Sequence, residues 1–422
     1  MAYRNLGKLA LLAATALAAS ACATAPAGVD GSAGVDPKAR AIHNSLLTLD
    51  THLDIPAAFT SKRGYDFMAL HDVDREGSNV DYPRMVTGGL DGGFFAIYLG
   101  QGALTPEAYA TARDNALLRG VSILELVAAH PDKLELALTA ADAPRIVAAG
   151  KKVVYMSMEN SWELGDDITL IDTFYKLGVR LIGPVHNGNN QLADSTNPGA
   201  AGPKWNGLSP MGKAFVKRAN ELGMILDGSH SSDIAIEQMI DLSATPIILS
   251  HHGADGPFEH PRNAPDALLK KLAAKGGVIQ MNALGSFIKK LPPSSPERLA
   301  AQTALRTKYG SPDDLSGERY EAYLDELAAF NKAYPAPNAD FEDYMTQILY
   351  TLKLIGPEHV GFGADWDGGG GLTGFRDITY LPKITERLLK EGYTQADLAN
   401  MWGGNVLRVM KQVEDYAATQ KK

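Results

Sequence analysis

The sequence predicts a single α/β domain folded as a (β/α)₈ barrel, and three observations predict it. From about Pro37 onward, short runs rich in β-branched and aromatic residues alternate with longer amphipathic helical patterns. Eight such runs occur, and strand–helix alternation builds a parallel sheet that eight units can close into a barrel. No GxGxxG follows the first run and no Walker sequence occurs, so the rival doubly wound nucleotide fold draws no support from motifs.

The chain opens on a leader rather than on the barrel. Arg4 and Lys8 precede the apolar stretch Leu9 to Ala21, which is too short to span a bilayer and has the length of a signal-peptide core. Residues 1–21 are therefore expected to be a signal peptide. Cys22, the single cysteine, follows at once in "LAASAC", which resembles a bacterial lipobox with Ala19 where leucine is commonest. Lipidation at Cys22 is the expectation, and ordinary cleavage near "ACATA" is the alternative. Residues 22–37, rich in Ala, Gly and Pro, read as a flexible tether. The expected location is the bacterial cell envelope, lipid-anchored at the outer membrane or periplasmic face, otherwise free in the periplasm. With one thiol no intramolecular disulfide can form, and a metal site must use nitrogen and oxygen ligands. The formal net charge of -9 carries no basic footprint for nucleic acid.

The eight expected strands are "LLTLDTHLD" (46–54), "GGFFAIYLG" (92–100), "KKVVYMSMEN" (151–160), "VRLIGPVH" (179–186), "MILDGSH" (224–230), "TPIILSHH" (245–252), "GGVIQMNA" (276–283) and "HVGFGADWDG" (359–368). Between them lie helical patterns such as "SPMGKAFVKRANELG", where Met211, Phe215 and Ala219 recur at i, i+4. One connection is unusually long. From Ser286 to about Ala339 two helical patterns follow the seventh strand, on the side where barrels carry their chemistry, and form either a rim or lid or a plain elaboration. The "GGGG" at 368–371 reads as a flexible turn. The catalytic domain is expected to span 38–422, with 286–339 as a helical insertion.

Polar residues gather at the ends of these runs. His52 and Asp54 end the first, Glu159 the third, His186 the fourth, His230 the fifth, His251 and His252 the sixth, and Asp365 and Asp367 the eighth. Carboxylates that meet at a barrel mouth need a counter-charge, and no strand end offers arginine or lysine. A metal can supply it, and imidazole with carboxylate suits zinc among several divalent ions. Three histidines and two carboxylates suit two ions better than one. Adjacent strand residues face opposite ways, so only one of His251 and His252 points inward, and parity alone does not say which.

With these segments in view, the chain resembles the membrane dipeptidase (renal dipeptidase) family of zinc peptidases over nearly all of its mature length. "DTHLD" is similar to the family's opening DxHxD, which implies that His52 and Asp54 bind the first metal. Glu159 in "YMSMEN" matches the bridging glutamate, although the family commonly has Glu-Gly-Gly where this chain has Glu159-Asn160-Ser161. "GMILDGSHSS" and "PIILSHHGA" resemble the segments that supply the second metal's ligands, here His230 and His251 rather than His252. "VHNGNN" implies a substrate-contacting His186, "HPRNAPD" a carboxylate-binding Arg262, and "HVGFGADWDGGG" the catalytic acid/base Asp365; "MWGGNVLRV" is similar to the family's closing segment.

The resemblance implies a (β/α)₈ hydrolase holding two Zn²⁺ per chain, with Glu159 bridging. The implied reaction is hydrolysis of L-Xaa-L-Xaa and L-Xaa-D-Xaa dipeptides by a metal-bridging hydroxide. A homodimer is a further expectation, since family members are often dimers. Two other readings compete. One is another binuclear amidohydrolase acting on lactones or N-acyl amino acids; such relatives often bridge their metals with a carbamoylated lysine at the fourth strand, and "VRLIGPVH" has none. The other is an inactive envelope binding protein, whose signature would be a lost ligand, and none is missing.

Overall fold

The computed structural model describes residues 30–61 and 64–420; the expected signal peptide, Cys22 and the first part of the tether lie outside the described residues. The end of the tether does not hang free. The Gly31 N–H donates to Thr379 Oγ1 at 2.9 Å and the Asp36 N–H to Glu386 Oε1 at 3.0 Å, which fastens the chain to the body before the first helix.

Eight parallel strands form the frame: β1 (Leu49–Leu53), β2 (Gly92–Tyr98), β3 (Lys152–Glu159), β4 (Val179–Ile182), β5 (Ile225–Leu226), β6 (Ile248–Ala254), β7 (Val278–Met281) and β8 (Val360–Phe362). They pair as β1-β2-β3-β4-β5 in one sheet and β6-β7-β8 in another. Two isolated parallel bridges join the sheets, Asp227 to Ile248 between β5 and β6, and Leu53 to Trp366 between β1 and the residues after β8. The ring is thereby closed in chain order. Short pieces at Leu134–Leu136 and Asn263–Ala264 add to the edges of β3 and β6.

The helices between strands carry their boundaries in sequence. Pro106–Ala129 starts after Thr105, whose side chain accepts from the Ala108 N–H, with proline in the first turn. Pro210–Leu222 is capped by Ser209 and stopped by Gly223 at φ 81°, the left-handed conformation that glycine adopts without cost. It buries Phe215 and Ala219 against the barrel, while Met211 is half-buried.

The strands are shorter than the apolar runs suggest. β5 keeps only Ile225 and Leu226 of "MILDGSH", and β8 only three residues of "HVGFGADWDG". Beyond those points the backbone turns away and the ladder ends. The barrel interior is a packed cluster drawn from seven strands: Leu49, Phe94, Val153 with Tyr155, Leu181, Ile225, Ile248 and Val278. Val406, Val409 and Met410 of the last helix, Asn405–Gln420, belong to the same cluster. This is a filled core rather than a pore, so polar groups gather only at its mouth.

The long connection after β7 folds as two helices, Pro296–Tyr309 and Gly317–Ala333. The second packs against the short helix Val73–Glu76 of the β1–β2 connection. Among the described residues no helix is long and apolar enough to cross a membrane.

Candidate active site

Two bulges aim the side chains. Against β2, the register of β1 gains one residue between Asp50 and Leu53, so Leu49 and His52 both turn to the interior although they stand three apart. Against β7, β6 gains one residue between Leu249 and His252, and Ile248 and His251 share the interior in the same way. An extra residue in one strand reverses its facing from that point on. Left-handed backbone then bends the chain at the strand ends: Asn160, His230, Asp365 and Asp367 all have φ of 63–64°. Such conformations cost energy for a residue with a side chain and cluster at functional sites.

Asn160 stands where the resembled family has glycine, and it takes the left-handed conformation that asparagine tolerates best after glycine. Its Nδ2 donates to the Leu99 carbonyl at 2.9 Å, and the Ser161 hydroxyl donates to the Gly183 carbonyl at 2.7 Å. The two substituted residues thus tie the Glu159 turn to the ends of β2 and β4. The four glycines after β8 are more than a flexible turn. A Cβ on Gly368 would lie 2.0 Å from Asp54 Oδ2 and 2.3 Å from Asp365 Oδ1, and one on Gly370 would lie 2.1 Å from the Ala364 carbonyl oxygen. Only a bare backbone can pass there.

Glu159 is the centre of the arrangement. Its Oε2 faces His52 Nε2 at 3.6 Å, while its Oε1 faces His230 Nε2 at 3.1 Å and His251 Nε2 at 3.3 Å. His52 Nε2 lies 3.2 Å from Asp54 Oδ2 and 3.9 Å from Asp365 Oδ1. Ligand atoms about 2.1 Å from one tetrahedral ion sit about 3.4 Å apart, so these spacings fit a shared cation on each side of Glu159. Among the described residues three overlapping groups could hold an ion: His52, Glu159 and His251; Glu159, His186 and His230; and His52, Asp54 and Asp365.

The hydrogen bonds make the same point chemically. The Ser250 hydroxyl donates to Asp227 Oδ2 at 2.5 Å, so its oxygen is left to accept from His251 Nδ1–H at 2.9 Å. Asp227 is itself held by the backbone N–H groups of Ser229 and Ser250. The proton of His251 is therefore on Nδ1, and the lone pair of Nε2 faces a carboxylate oxygen with nothing to donate. A proton or a metal cation between them makes that contact favourable, and the several unpartnered donors and acceptors around it suit the metal. His52 Nδ1 and Nε2, Asp54 Oδ1, Glu159 Oε1 and His230 Nδ1 are likewise buried without a hydrogen-bond partner. The donor set fits divalent metal.

Burial dominates the electrostatics. It pushes the Glu159 carboxyl well up, with Asp54 and Asp365 adding to the rise against His52, and lifts Asp365 to about 6 against the pull of His52. Burial opposes protonation of His52, but the carboxylates of Asp54 and Glu159 outweigh it and raise the group. Burial, then the Arg262 charge, lowers His186 to about 4 and His230 well below the ordinary range; for His251 burial is followed by His52 and then Arg262.

Neighbours orient the remaining groups. Asn282 Nδ2 donates to Asp365 Oδ2 at 3.3 Å. Arg262, buried, donates from Nη1 to His252 Nδ1 at 3.0 Å and from Nη2 to the His251 carbonyl at 3.2 Å, which leaves three of its five N–H groups without a protein partner. The Tyr98 ring packs on His186 at 4.6 Å, with its hydroxyl 3.4 Å from Nδ1, and the His186 ring in turn lies tilted against that of His230, centroids 4.0 Å apart. Asp50 accepts from the N–H groups of His52 and Ala364, and Asp367 from that of Asn79.

All eight candidate residues from the sequence thus converge at one end of the barrel, with His251 turned to Glu159 and His252 turned to Arg262. Sequence reasoning missed Asp227, Ser250, Asn282 and the task of His252. Asp227 and Asn282 do stand near strand ends, a signal too weak without knowing what they touch.

A family model for membrane dipeptidase (peptidase family M19) matches residues 37–422. Dipeptidase tcpJ of Claviceps purpurea (strain 20.1) is 29% identical over 350 residues, covering 81% of this chain and 71% of that protein. Dipeptidase verJ of Clonostachys rogersoniana is 28% identical over 386 residues, covering 89% and 86%. The crystal structure of the probable dipeptidase PvdM from Pseudomonas aeruginosa superposes with a TM-score of 0.72 at 30% identity, covering 90% of this chain and 98% of that one.

Proposed function

The chain belongs to the membrane dipeptidase family of metallopeptidases, and from that premise we propose that it hydrolyses L-Xaa-L-Xaa and L-Xaa-D-Xaa dipeptides. Two zinc ions would be held by His52, Asp54, Glu159, His230 and His251. The observation that carries this reading is the division of Glu159, with one carboxylate oxygen toward His52 and the other toward His230 and His251. Bound zinc would supply Lewis acidity and a water acidic enough to act as nucleophile near neutral pH.

The chain's own residues do the rest. Arg262 receives the substrate carboxylate through its three unused N–H groups, and its planar fork pairs bidentately where lysine would be a point charge. His186 is neutral and half-buried; with Nδ1 toward the Tyr98 hydroxyl, it offers Nε2–H to the carbonyl oxygen as charge develops. Asp365 has Oδ2 held by Asn282, so Oδ1 is the atom that takes the proton of the attacking water and passes it to the leaving amine. A carboxylate clamp one residue past the scissile bond leaves no room for a longer C-terminal extension, which accounts for dipeptides as substrates. The apolar run Leu9 to Ala21 and the lone Cys22 support a place in the bacterial cell envelope, anchored through a lipidated Cys22.

The test is a screen of L,L and L,D dipeptides with zinc present, alongside lactones and N-acyl amino acids. Turnover of dipeptides with two metal ions per chain is expected. Turnover confined to lactones would transfer the reading to another amidohydrolase.

A further inference from the structure

Resting on the dipeptidase reading, we infer that the helical insertion after β7 walls a specificity pocket for the substrate's amino-terminal side chain, and that this pocket favours long cationic side chains. The polarity of the site sets the direction. Arg262 lies beside His251 and His252, on the His230–His251 side of Glu159. A dipeptide whose carboxylate is held there runs across Glu159 toward His52 and Asp54. On that side a cavity of about 1020 Å³ opens, with Asp54 and Asp367 in its lining. Its volume is at the upper end for small-molecule pockets, far more than glycine or alanine needs.

The walls come from two separate pieces of chain. Tyr65 and Leu70 belong to the connection after β1, and Glu321 and Leu324 to the insertion helix Gly317–Ala333. The pieces are clamped by Arg75, which pairs with Glu321 at 2.5 Å and Asp325 at 2.7 Å. Without the insertion the cavity would be an open trough.

The lining is acidic. Six carboxylates line it against two guanidinium groups, and four of the six, Asp66, Glu76, Asp314 and Glu321, stand apart from the proposed ligand Asp54 and its neighbour Asp367. Arg75 is paired with Glu321, Glu76 lies 2.6 Å from His71 Nδ1, and Arg119 donates to the Tyr98 carbonyl and to Thr60 Oγ1 at 3.3 Å, so the negative charge of the lining is the excess of its carboxylates over its guanidinium groups. A concave surface of one sign concentrates ligands of the other. A lysyl or arginyl side chain lays its methylenes along Tyr65 and Leu324 and its charge among the carboxylates.

The experiment measures kcat/KM of the zinc-loaded enzyme on Lys-Ala, norleucyl-Ala and Gly-Ala at low and high ionic strength. Lys-Ala should exceed norleucyl-Ala by about tenfold at low salt, with the margin shrinking as salt is added, and Gly-Ala should be poorest. Glu321→Gln should narrow the Lys-Ala margin by about two- to threefold. Leu324→Trp, its fold checked by thermal melting, should lower the Lys-Ala to Gly-Ala ratio by about tenfold by filling the pocket. Equal rates for Lys-Ala and norleucyl-Ala at low salt would overturn the inference, as would a Lys-Ala to Gly-Ala ratio that neither variant moves. An enzyme that cleaves none of the three fails the dipeptidase reading itself, a result separable from the others because in those cases turnover persists.

Discussion

The barrel mouth and the insertion above it are built on opposite principles. Every expected ligand at the mouth is buried, carried on or just beyond strands whose residues are almost all inaccessible, and His251 is oriented by Ser250 and Asp227. The insertion helices bury little: Pro296–Tyr309 hides only Tyr309, and Gly317–Ala333 only Leu324 and Phe330. The insertion helix is joined to the β1–β2 connection through ion pairs of Arg75, the kind of exposed contact that salt screens and that adds little to stability. Burial makes charges strong where chemistry needs them, at the cost of freedom to vary. The exposed insertion can change its sequence without disturbing the core, which suits a specificity element.

The largest expected effect tests the mouth. Chelation of metal should abolish dipeptide hydrolysis and added zinc should restore it, measured as turnover against metal content; turnover by metal-free protein would dissolve the contrast. Next comes Asp365→Asn, which should keep both metal ions and lower kcat by about 10²–10⁴ through loss of proton transfer. A variant that loses metal along with turnover would make Asp365 a ligand instead, in line with its place beside His52 and Asp54.

A smaller effect concerns the barrel body. His43 is buried between Thr385 Oγ1 at 2.7 Å and the Gly88 carbonyl at 3.0 Å, and burial lowers its pKa from 6.5 to about 4. The unfolded chain then takes up the proton first. Stability is whole above about pH 6.5 and is lost as the pH falls toward 4, by about 3 kcal/mol at most. Denaturant melts across that range should show the slope, and His43→Gln should flatten it. The smallest effect belongs to the insertion. Arg75→Ala should leave the melting temperature nearly unchanged while hydrogen exchange quickens in residues 296–333. Equal quickening throughout the barrel would mean that the two regions unfold as one unit.

Much of this was legible in the linear chain. The eight βα units show in the composition of short runs, because buried parallel strands need continuous apolar residues. The ligand types show as well, since His52, Asp54, Glu159, His230, His251 and Asp365 interrupt or follow such runs where a polar residue has no other reason to be. Strand ends were harder to read. "VHNGNN" looked continuous with its strand, yet β4 stops at Ile182 and His186 stands in the loop beyond. The outer contacts were silent. Asp227 and Asn282 could not be told from ordinary polar residues without knowing that Ser250 and Asp365 lie against them, across 23 and 83 residues of chain.

The amino-acid sequence by itself determined the chemistry on offer: nitrogen and oxygen donors without a usable thiol pair, eight alternating units to carry them, and one long insertion after the seventh. Only the tertiary structure decided which way those donors face. Leu49 and His52, like Ile248 and His251, share a face only because one strand carries an extra residue against its neighbour. That extra residue is a property of hydrogen-bond register between segments about 40 and 30 residues apart in the chain. Side-chain direction in a strand is local, but the register that sets it is not: strand parity left His251 and His252 open, the family resemblance named His251, and the closed barrel supplies the physical reason.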